Sequence, residues 1–391
     1  MEPIEFVAPW YYTTVYYALF LLLSWMTVLY YMGSNQQKIL HSEGSPMQGV
    51  ALLLTITLAI FIGLRPVSRF FGDSVAYNIS FNLASEYIQV DFNSEWLLHN
   101  LMVYCKNSGL NVNEFFLIVA FGYYFGMFIC SLILVRKNLW IAAIFFFISF
   151  SCYSYGVNGI RNGLACSIEL IAIALLTQGG AKRVLAFLLM FLALGTHRST
   201  MLPTVAALAS TYIFKDTKQV LRFWVASIFI SLAAGPLIEH FFAGLGFDER
   251  MSTYSSENAS ESDMAQFSQT GFRWDFLFYS MFPVILVWYV TQYRKFKDQT
   301  FNIIGNTYIL CNAFWIMVIR SSFSNRFAYL SWFIYPLVIA YPLLRMSIWK
   351  DQDRKTALIL FFYTGFSFFM FFIFYFGTIN GFRGLNQFWW R

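Results

Sequence analysis

Charge is scarce in this chain. Of 391 residues only 12% are Asp, Glu, Lys or Arg, about half of the ~25% that soluble domains carry. With 58% apolar residues and a mean hydropathy of +0.57, this excludes a water-soluble single core, a disordered tail and a coiled coil. Every polar stretch is short, so no soluble domain is expected beside the apolar one. Cysteine is equally sparse: Cys105, Cys130, Cys152, Cys166 and Cys311 lie apart in apolar segments, with no Cys-x-x-Cys and no histidine beside them. That removes a disulfide framework and a zinc or other metal site, and the cysteines read as small core residues. There is no Walker A loop, no Gly-x-Gly-x-x-Gly and no Gly-x-Ser-x-Gly, so no cofactor is implied. The net charge of +6 gives no argument for nucleic acid, because loop charge in a membrane protein encodes orientation. One Asp-x-Asp pattern, Asp351-Gln352-Asp353, stands among Arg354 and Lys355 and reads as a solvated charge run. The sequons at Asn78 and Asn258 read as coincidental.

What the chain has is apolar length. Runs close to the ~20 residues that cross a bilayer extend over Trp10 to Met32, Gly49 to Leu64, Glu114 to Val135, Asn138 to Tyr153, Ile160 to Thr177 and Val184 to Thr196. They continue over Thr200 to Phe214, Phe223 to Phe242, Asp275 to Gln292, Phe301 to Ile319, Phe327 to Leu344 and Thr356 to Phe376. The expected fold is an all-α polytopic integral membrane protein with roughly twelve transmembrane helices, forming a single transmembrane domain over residues 1–391. The two shortest runs are compatible with re-entrant segments. The 46 Phe, 24 Tyr and 12 Trp exceed what two interfacial belts require, so some rings are expected to line a cavity.

Alternate loops carry Lys38; Arg136 and Lys137; Lys182 and Arg183; Lys215, Lys218 and Arg222; Arg294, Lys295 and Lys297; and Arg345, Lys350, Arg354 and Lys355. By the positive-inside rule this side is cytoplasmic. The other side takes Glu2 and Glu5, the two longer loops 65–113 and 243–274, and the tail to Arg391. Both termini are therefore expected outside. No cleavable signal peptide is expected, because acids precede the first span.

Basic residues sort unevenly between the faces. The cytoplasmic loops mix Lys with Arg, whereas the outer side holds Arg65, Arg69, Arg161, Arg198, Arg250, Arg273, Arg320, Arg326, Arg383 and Arg391 against a single lysine, Lys106. A planar fork of donors that stays charged when partly desolvated suits bidentate grip on phosphate or diphosphate. Arg65, Arg161, Arg198, Arg320 and Arg326 fall within a residue or two of outer span ends. Snorkelling to headgroups is the bland alternative for each; for the set, an anion site is favoured.

Four short motifs lie on that face. Gly63-Leu64-Arg65, then Arg69, Gly72-Asp73 and Tyr77, places an acid near two arginines. Asp73 is there either a base or sugar-hydroxyl acceptor, or the N-cap of a following helix. Asn158-Gly159-Ile160-Arg161-Asn162-Gly163 sets an arginine between glycines at an outer span start. Such an arginine is costly unless compensated, by an anionic ligand or by Glu169 two turns deeper. Thr196-His197-Arg198-Ser199-Thr200 forms a short outer turn, and its imidazole, the side chain that titrates nearest neutrality, is a second candidate base. His41, His99 and His240 each have an interfacial explanation. Arg320-Ser321-Ser322-Phe323-Ser324-Asn325-Arg326 brackets hydroxyls between two arginines, and Arg273-Trp274-Asp275 sets a cation by an aromatic face and an acid, a pairing suited to carbohydrate.

A lipid diphosphate donor carries its own leaving group, so arginines to neutralise it and one base for the incoming hydroxyl suffice. The order of the motifs, from Gly63-Leu64-Arg65 through Gly72-Asp73 and Tyr77, Gly159-Ile160-Arg161-Asn162-Gly163-Leu164-Ala165 and Thr196-His197-Arg198-Ser199 to Asn325-Arg326-Phe327, resembles the EpsG-like family of exopolysaccharide polymerases, relatives of the Wzy-type O-antigen polymerases. The resemblance implies a GT-C-like, metal-independent membrane glycosyltransferase at the outer face of the bacterial inner membrane. It would join undecaprenyl-diphosphate-linked repeat units, with a chain-length regulator and a flippase as partners. By that analogy Arg65, Arg161 and Arg326 would hold diphosphate, with Arg69, Tyr77, Asn158, Arg198, Arg273 and Arg320 as further substrate contacts, and His197 or Asp73 would activate the acceptor. An O-antigen ligase, which uses the same donor, and a flippase or transporter are the alternatives. A ligase gathers its chemistry in one large late loop, and a transporter shows repeats and several mid-span charges; here only Glu169 is clearly mid-span.

Overall fold

The computed structural model describes residues 7–33, 38–41, 47–85, 87–92, 94–244, 272–320 and 324–371. Among these the regular structure is helical, with no strand. Helices α1 (Tyr12–Met32), α2 (Lys38–His41), α3 (Met47–Gly63), α4 (Ser74–Leu83), α5 (Trp96–Asn107) and α6 (Val112–Val135) are followed by α7 (Leu139–Phe147), α8 (Cys152–Val157), α9 (Ile160–Gln178), α10 (Lys182–Thr196), α11 (Met201–Tyr212) and α12 (Thr217–Gly244). Then come α13 (Trp274–Trp288), α14 (Gln299–Met317), α15 (Ser324–Trp332), α16 (Tyr335–Arg345) and α17 (Gln352–Phe371). Glu2, Glu5, Arg250, Asn258, Arg383, Arg391, the Ser321-Ser322-Phe323 stretch and most of the loop 243–274 lie outside the described residues.

Among the described residues five helical stretches are long and apolar enough to cross a membrane: Pro9–Met32, Val112–Phe147, Ile160–Gln178, Trp274–Tyr293 and Arg326–Arg345, with Gln48–Gly63 a shorter apolar helix. Several of the expected runs form shorter elements. The run from Asn138 to Tyr153 divides into α7, of 9 residues, and α8, of 6. Helices α10 and α11 have 15 and 12 residues, about 22 and 18 Å at ~1.5 Å per residue, less than the ~30 Å hydrocarbon thickness.

The chain forms two compact units, Met1–Ile171 with Leu343–Arg391, and Ala172–Pro342. In the first, α3 packs along α6, and α1 against α17. Gly63 makes the α3 contact possible, since a Cβ there would lie 2.6 Å from the Leu117 Cα, a close backbone approach typical of helices without a hydrophobic driving force between them. Helix α6 starts on a capping box in which Asn111 accepts from the Asn113 and Glu114 N–H groups and Glu114 reaches back to Asn111. Helix α7 is buried except for Trp140, as its uniform run of Leu, Ile, Ala and Phe requires. The surplus aromatics of this unit form core: Tyr16 lies 5.0 Å from Tyr153 and 4.9 Å from Phe20, ring to ring.

The Asp351-Gln352-Asp353 segment of this unit corrects one expectation. Asp351 is exposed and bridges Lys355 at 3.1 Å, as a solvated charge run should. Asp353, however, is buried and accepts from the Lys38 and Ile39 N–H groups at 2.8 and 3.1 Å, capping α2. Gln352 is buried too and donates to the Leu343 carbonyl at 2.7 Å. The Ile39 N–H and the Leu343 carbonyl, whose bonds are buried, need such side-chain partners.

In the second unit α14 runs centrally, packed on α11, α12 and α15, and Trp224 Nε1 donates to Asn312 Oδ1 across 2.8 Å within it. Trp332 gathers Phe276, Tyr279, Trp315 and Tyr329 within 5.1 to 6.1 Å, ring to ring. Helix α12 breaks at Ala234 (φ −137°, ψ 24°), two residues before Pro236, which supplies no N–H to the helix. All five cysteines are buried and none is in a disulfide, in keeping with core residues.

Candidate functional site

The segment expected as the first long outer loop, residues 65–113, is largely helical where described. A 3-10 turn, Arg69–Phe71, leads into α4, and α5 follows. Both helices are amphipathic, and their apolar faces, with Phe81, Leu98, Met102 and Val103, close over Phe115, Phe116 and Val119 of α6 and Ile160 and Leu164 of α9. This packing brings the sequence-distant motifs of the first unit together at the N-terminal start of α9.

Arg161 lies at the centre. Its Nη1 donates to Glu95 Oε2 at 2.6 Å, with both side chains part-exposed at 31% and 22%. Of the two compensations expected, an anionic ligand or Glu169, neither supplies this bond: the partner is a carboxylate from the loop ahead of α5, and Glu169 is buried in the body of α9. Tyr77 of α4 lies within electrostatic reach of Arg161 as well. Burial raises the Tyr77 pKa above the ordinary phenol value, against the lowering pull of Arg161, so the hydroxyl keeps its proton at neutral pH. Asp73 is exposed and within electrostatic reach of Arg161. It stands at the N-cap of α4 without a side-chain capping bond, so its carboxylate is not spent on the helix.

Two residues that the sequence marks as substrate contacts are turned to structural partners. Arg65 is 1% exposed. Its Nη1 donates to the Ile62 carbonyl at 2.9 Å and its Nη2 to the Val157 carbonyl at 3.0 Å, with the guanidinium 4.4 Å from the centre of the Phe116 ring. Asn158 spends its Oδ1 on the Asp73 N–H at 2.9 Å. Arg69 is exposed on the 3-10 turn, and Asn162 donates to the Tyr155 hydroxyl at 3.0 Å.

The other candidates lie in the second unit. His197 is half-buried in extended backbone (φ −155°, ψ 119°) between α10 and a 3-10 turn, Arg198–Thr200, with its carbonyl accepting the Thr200 Oγ1 proton at 2.8 Å. Arg198 is exposed beside it. Arg273 is paired with Asp275 in a bidentate fork, 2.9 and 2.6 Å, and stacks on Phe276 with 3.7 Å to the ring centre. The expected aromatic partner, Trp274, instead stands 4.3 Å from Phe272 and remains 59% exposed. Arg320 fits against Gly235, where a Cβ would come within 3.1 Å of its Cδ, and lies 5.8 Å from the Phe272 ring centre. Arg326 is exposed on α15. Among the described residues no three His, Cys, Asp or Glu side chains converge as a metal site would require.

A family model described as the EpsG family matches residues 50–389, a stretch that contains every one of these motifs. The chain belongs to the EpsG family. Its membership accords with a function of exopolysaccharide or O-antigen polymerase type. Comparison with curated proteins and with solved structures gives no match.

Glu95 is the residue of this grouping to which sequence reasoning assigned no role, whereas Gly72 was visible as a glycine before an acid at a helix start. Glu95 carried no such signal, because its partner is 66 residues away.

Proposed function

We propose that this EpsG-family protein is a Wzy-type polymerase, a membrane glycosyltransferase that joins undecaprenyl-diphosphate-linked oligosaccharide repeat units at the periplasmic face of the inner membrane. The observation that carries the proposal is the grouping of Arg161, Tyr77 and Asp73 at the outer start of α9. A guanidinium, a phenol and a free carboxylate side by side supply a cation for a diphosphate, a neutral hydrogen-bond partner for sugar hydroxyls, and a proton acceptor. In this assignment the chain crosses the inner membrane about twelve times in a GT-C-like arrangement, with both termini periplasmic.

The reaction needs little more. The C1–O bond between donor sugar and diphosphate breaks, and the electron pair leaves with the diphosphate, whose charge Arg161 offsets, with Arg69 as its exposed neighbour on the chain. The acceptor hydroxyl oxygen forms the new glycosidic bond to C1, and its proton passes to the Asp73 carboxylate. Asp73 is preferred as base because it shares the compact unit and the electrostatic surroundings of Arg161. His197, on the α10–α11 turn, is the alternative base, and Arg198, Arg273, Arg320 and Arg326 are assigned to the substrates on the second unit.

The test is a polymerisation assay with purified protein in lipid and a polyprenyl-diphosphate-linked repeat unit, read as a ladder on a gel. Chains of several units are the expected product. In cells lacking the gene, a lipopolysaccharide ladder truncated to one repeat supports a polymerase, whereas loss of all O-antigen would assign the chain to the ligases or flippases instead.

A further inference from the structure

The backbone around Asp73 is held by a device separate from the anion-binding groups. Gly72 adopts φ +59°, and a Cβ at that position would collide with the Asn158 side chain. A left-handed glycine is therefore required both by the turn and by the approach of Asn158. Asn158 uses that approach to accept the Asp73 N–H at 2.9 Å. Asn158 is itself fixed: it closes α8 with its own N–H on the Ser154 carbonyl at 2.9 Å, and its neighbour Val157 gives its carbonyl to Arg65 at 3.0 Å. The second arm of Arg65 grips the Ile62 carbonyl at the end of α3. Three residues beyond Asn158 stands Arg161.

We propose that Asn158 is a positioning residue that sets the Asp73 carboxylate in register with Arg161, and that Arg65 is the buried anchor of this strap. The inference rests on the polymerase assignment with Asp73 as base and refines it. The chain of contacts runs from α3 through Arg65 to Val157, from the adjoining Asn158 to Asp73, and from the same Asn158 along three residues of backbone to Arg161. Loss of the Asn158 acceptor frees the Gly72–Asp73 turn while leaving the anion-binding groups in place. Its signature is a fall in kcat with little change in KM, because binding is untouched and the proton acceptor is displaced. A displacement on the order of an ångström costs up to ~100-fold in rate.

The experiment compares Asn158→Ala, Asn158→Asp and Asp73→Ala with the wild type in the purified polymerisation assay, alongside protein abundance and thermal midpoint. Asn158→Ala is expected to lose about 10- to 100-fold in kcat with KM within about twofold. Asn158→Asp, isosteric and still an acceptor for the Asp73 N–H, is expected to recover most of that loss. If Asp73→Ala is inactive while Asn158→Ala keeps wild-type kcat, the positioning role is overturned and the polymerase assignment stands. If Asn158→Ala and Asn158→Asp lose activity only in proportion to abundance and thermal midpoint, Asn158 is merely structural and the inference fails. If Asp73→Ala keeps full activity, or the wild type makes no polymer, the underlying assignment fails and this inference with it.

Discussion

Arg161 and Glu95 meet at 2.6 Å across 66 residues of sequence, so the acid that neutralises the part-exposed start of α9 comes from the loop ahead of α5 and not from the body of the helix. An arginine held by a part-exposed carboxylate can exchange it for another anion at small cost, because both states keep the charge-assisted hydrogen bonds.

Charge exchange separates that role from plain stability. The swap of Arg161→Glu with Glu95→Arg restores an ion pair of the same composition, and is expected to restore abundance without restoring chain extension. Arg161→Lys removes the planar fork, and a lost hydrogen bond to a charged group, ~1.5–3 kcal/mol, corresponds to about 10- to 100-fold in kcat/KM. Wild-type polymer length from either variant would refute an anion-holding Arg161.

Tyr77 offers a pH test. Burial raises its pKa above the ordinary phenol value, so the neutral hydroxyl is the species present from about pH 6 to about pH 9. Any stability due to burying the neutral phenol is likewise present below the unfolded value of ~10 and lost as pH rises through the higher folded one. Tyr77→Phe is therefore expected to lower activity by a constant factor over that range. A pH-dependent ratio of variant to wild type would show that Tyr77 titrates there.

Much of this was legible in the sequence for physical reasons that differ by residue. Helix α9 and the helices α1 and α6 follow from apolar length alone, and Asp73 and Arg161 stand out because charge at a membrane boundary needs a reason. Arg65 did so too, yet its two Nη groups are turned to two carbonyls; burial of a charged group at a helix end leaves no trace in a run of residues. Asp353 was misread for the same cause, since the backbone groups it caps belong to residues 314 and 315 positions away. The short α7, a run as apolar as any span, ends at Phe147 and is buried except for Trp140.

Asp353 accordingly yields a stability prediction. Asp353→Ala leaves the part-buried Lys38 and the buried Ile39 N–H groups at the start of α2 without their acceptor, a loss of ~1–3 kcal/mol. Reduced abundance and a lowered thermal midpoint are expected, with normal polymer length from the protein that remains. A change in chain length at unchanged midpoint would place Asp353 in function instead.

Metal dependence follows from the proposed chemistry. If arginine neutralises the departing diphosphate, chelation leaves the rate unchanged. Activity lost in chelator and restored by magnesium would mean that a cation shares that work.

The two candidate bases separate by mutation. Removing a general base costs typically 10²- to 10⁴-fold in kcat, whereas a group that only contacts the acceptor changes KM more than kcat. Asp73→Asn keeps the shape of the side chain and its backbone bond to Asn158, so it removes only the proton acceptor; it is expected to abolish extension at normal abundance. His197→Ala, in a turn whose backbone is already fixed by the bonds of its own carbonyl to Thr200, is expected to spare kcat to within about tenfold and to raise KM for the acceptor. The reverse pattern, an inactive His197→Ala beside an active Asp73→Asn, would move the base to the α10–α11 turn and leave Asp73 as a hydroxyl ligand.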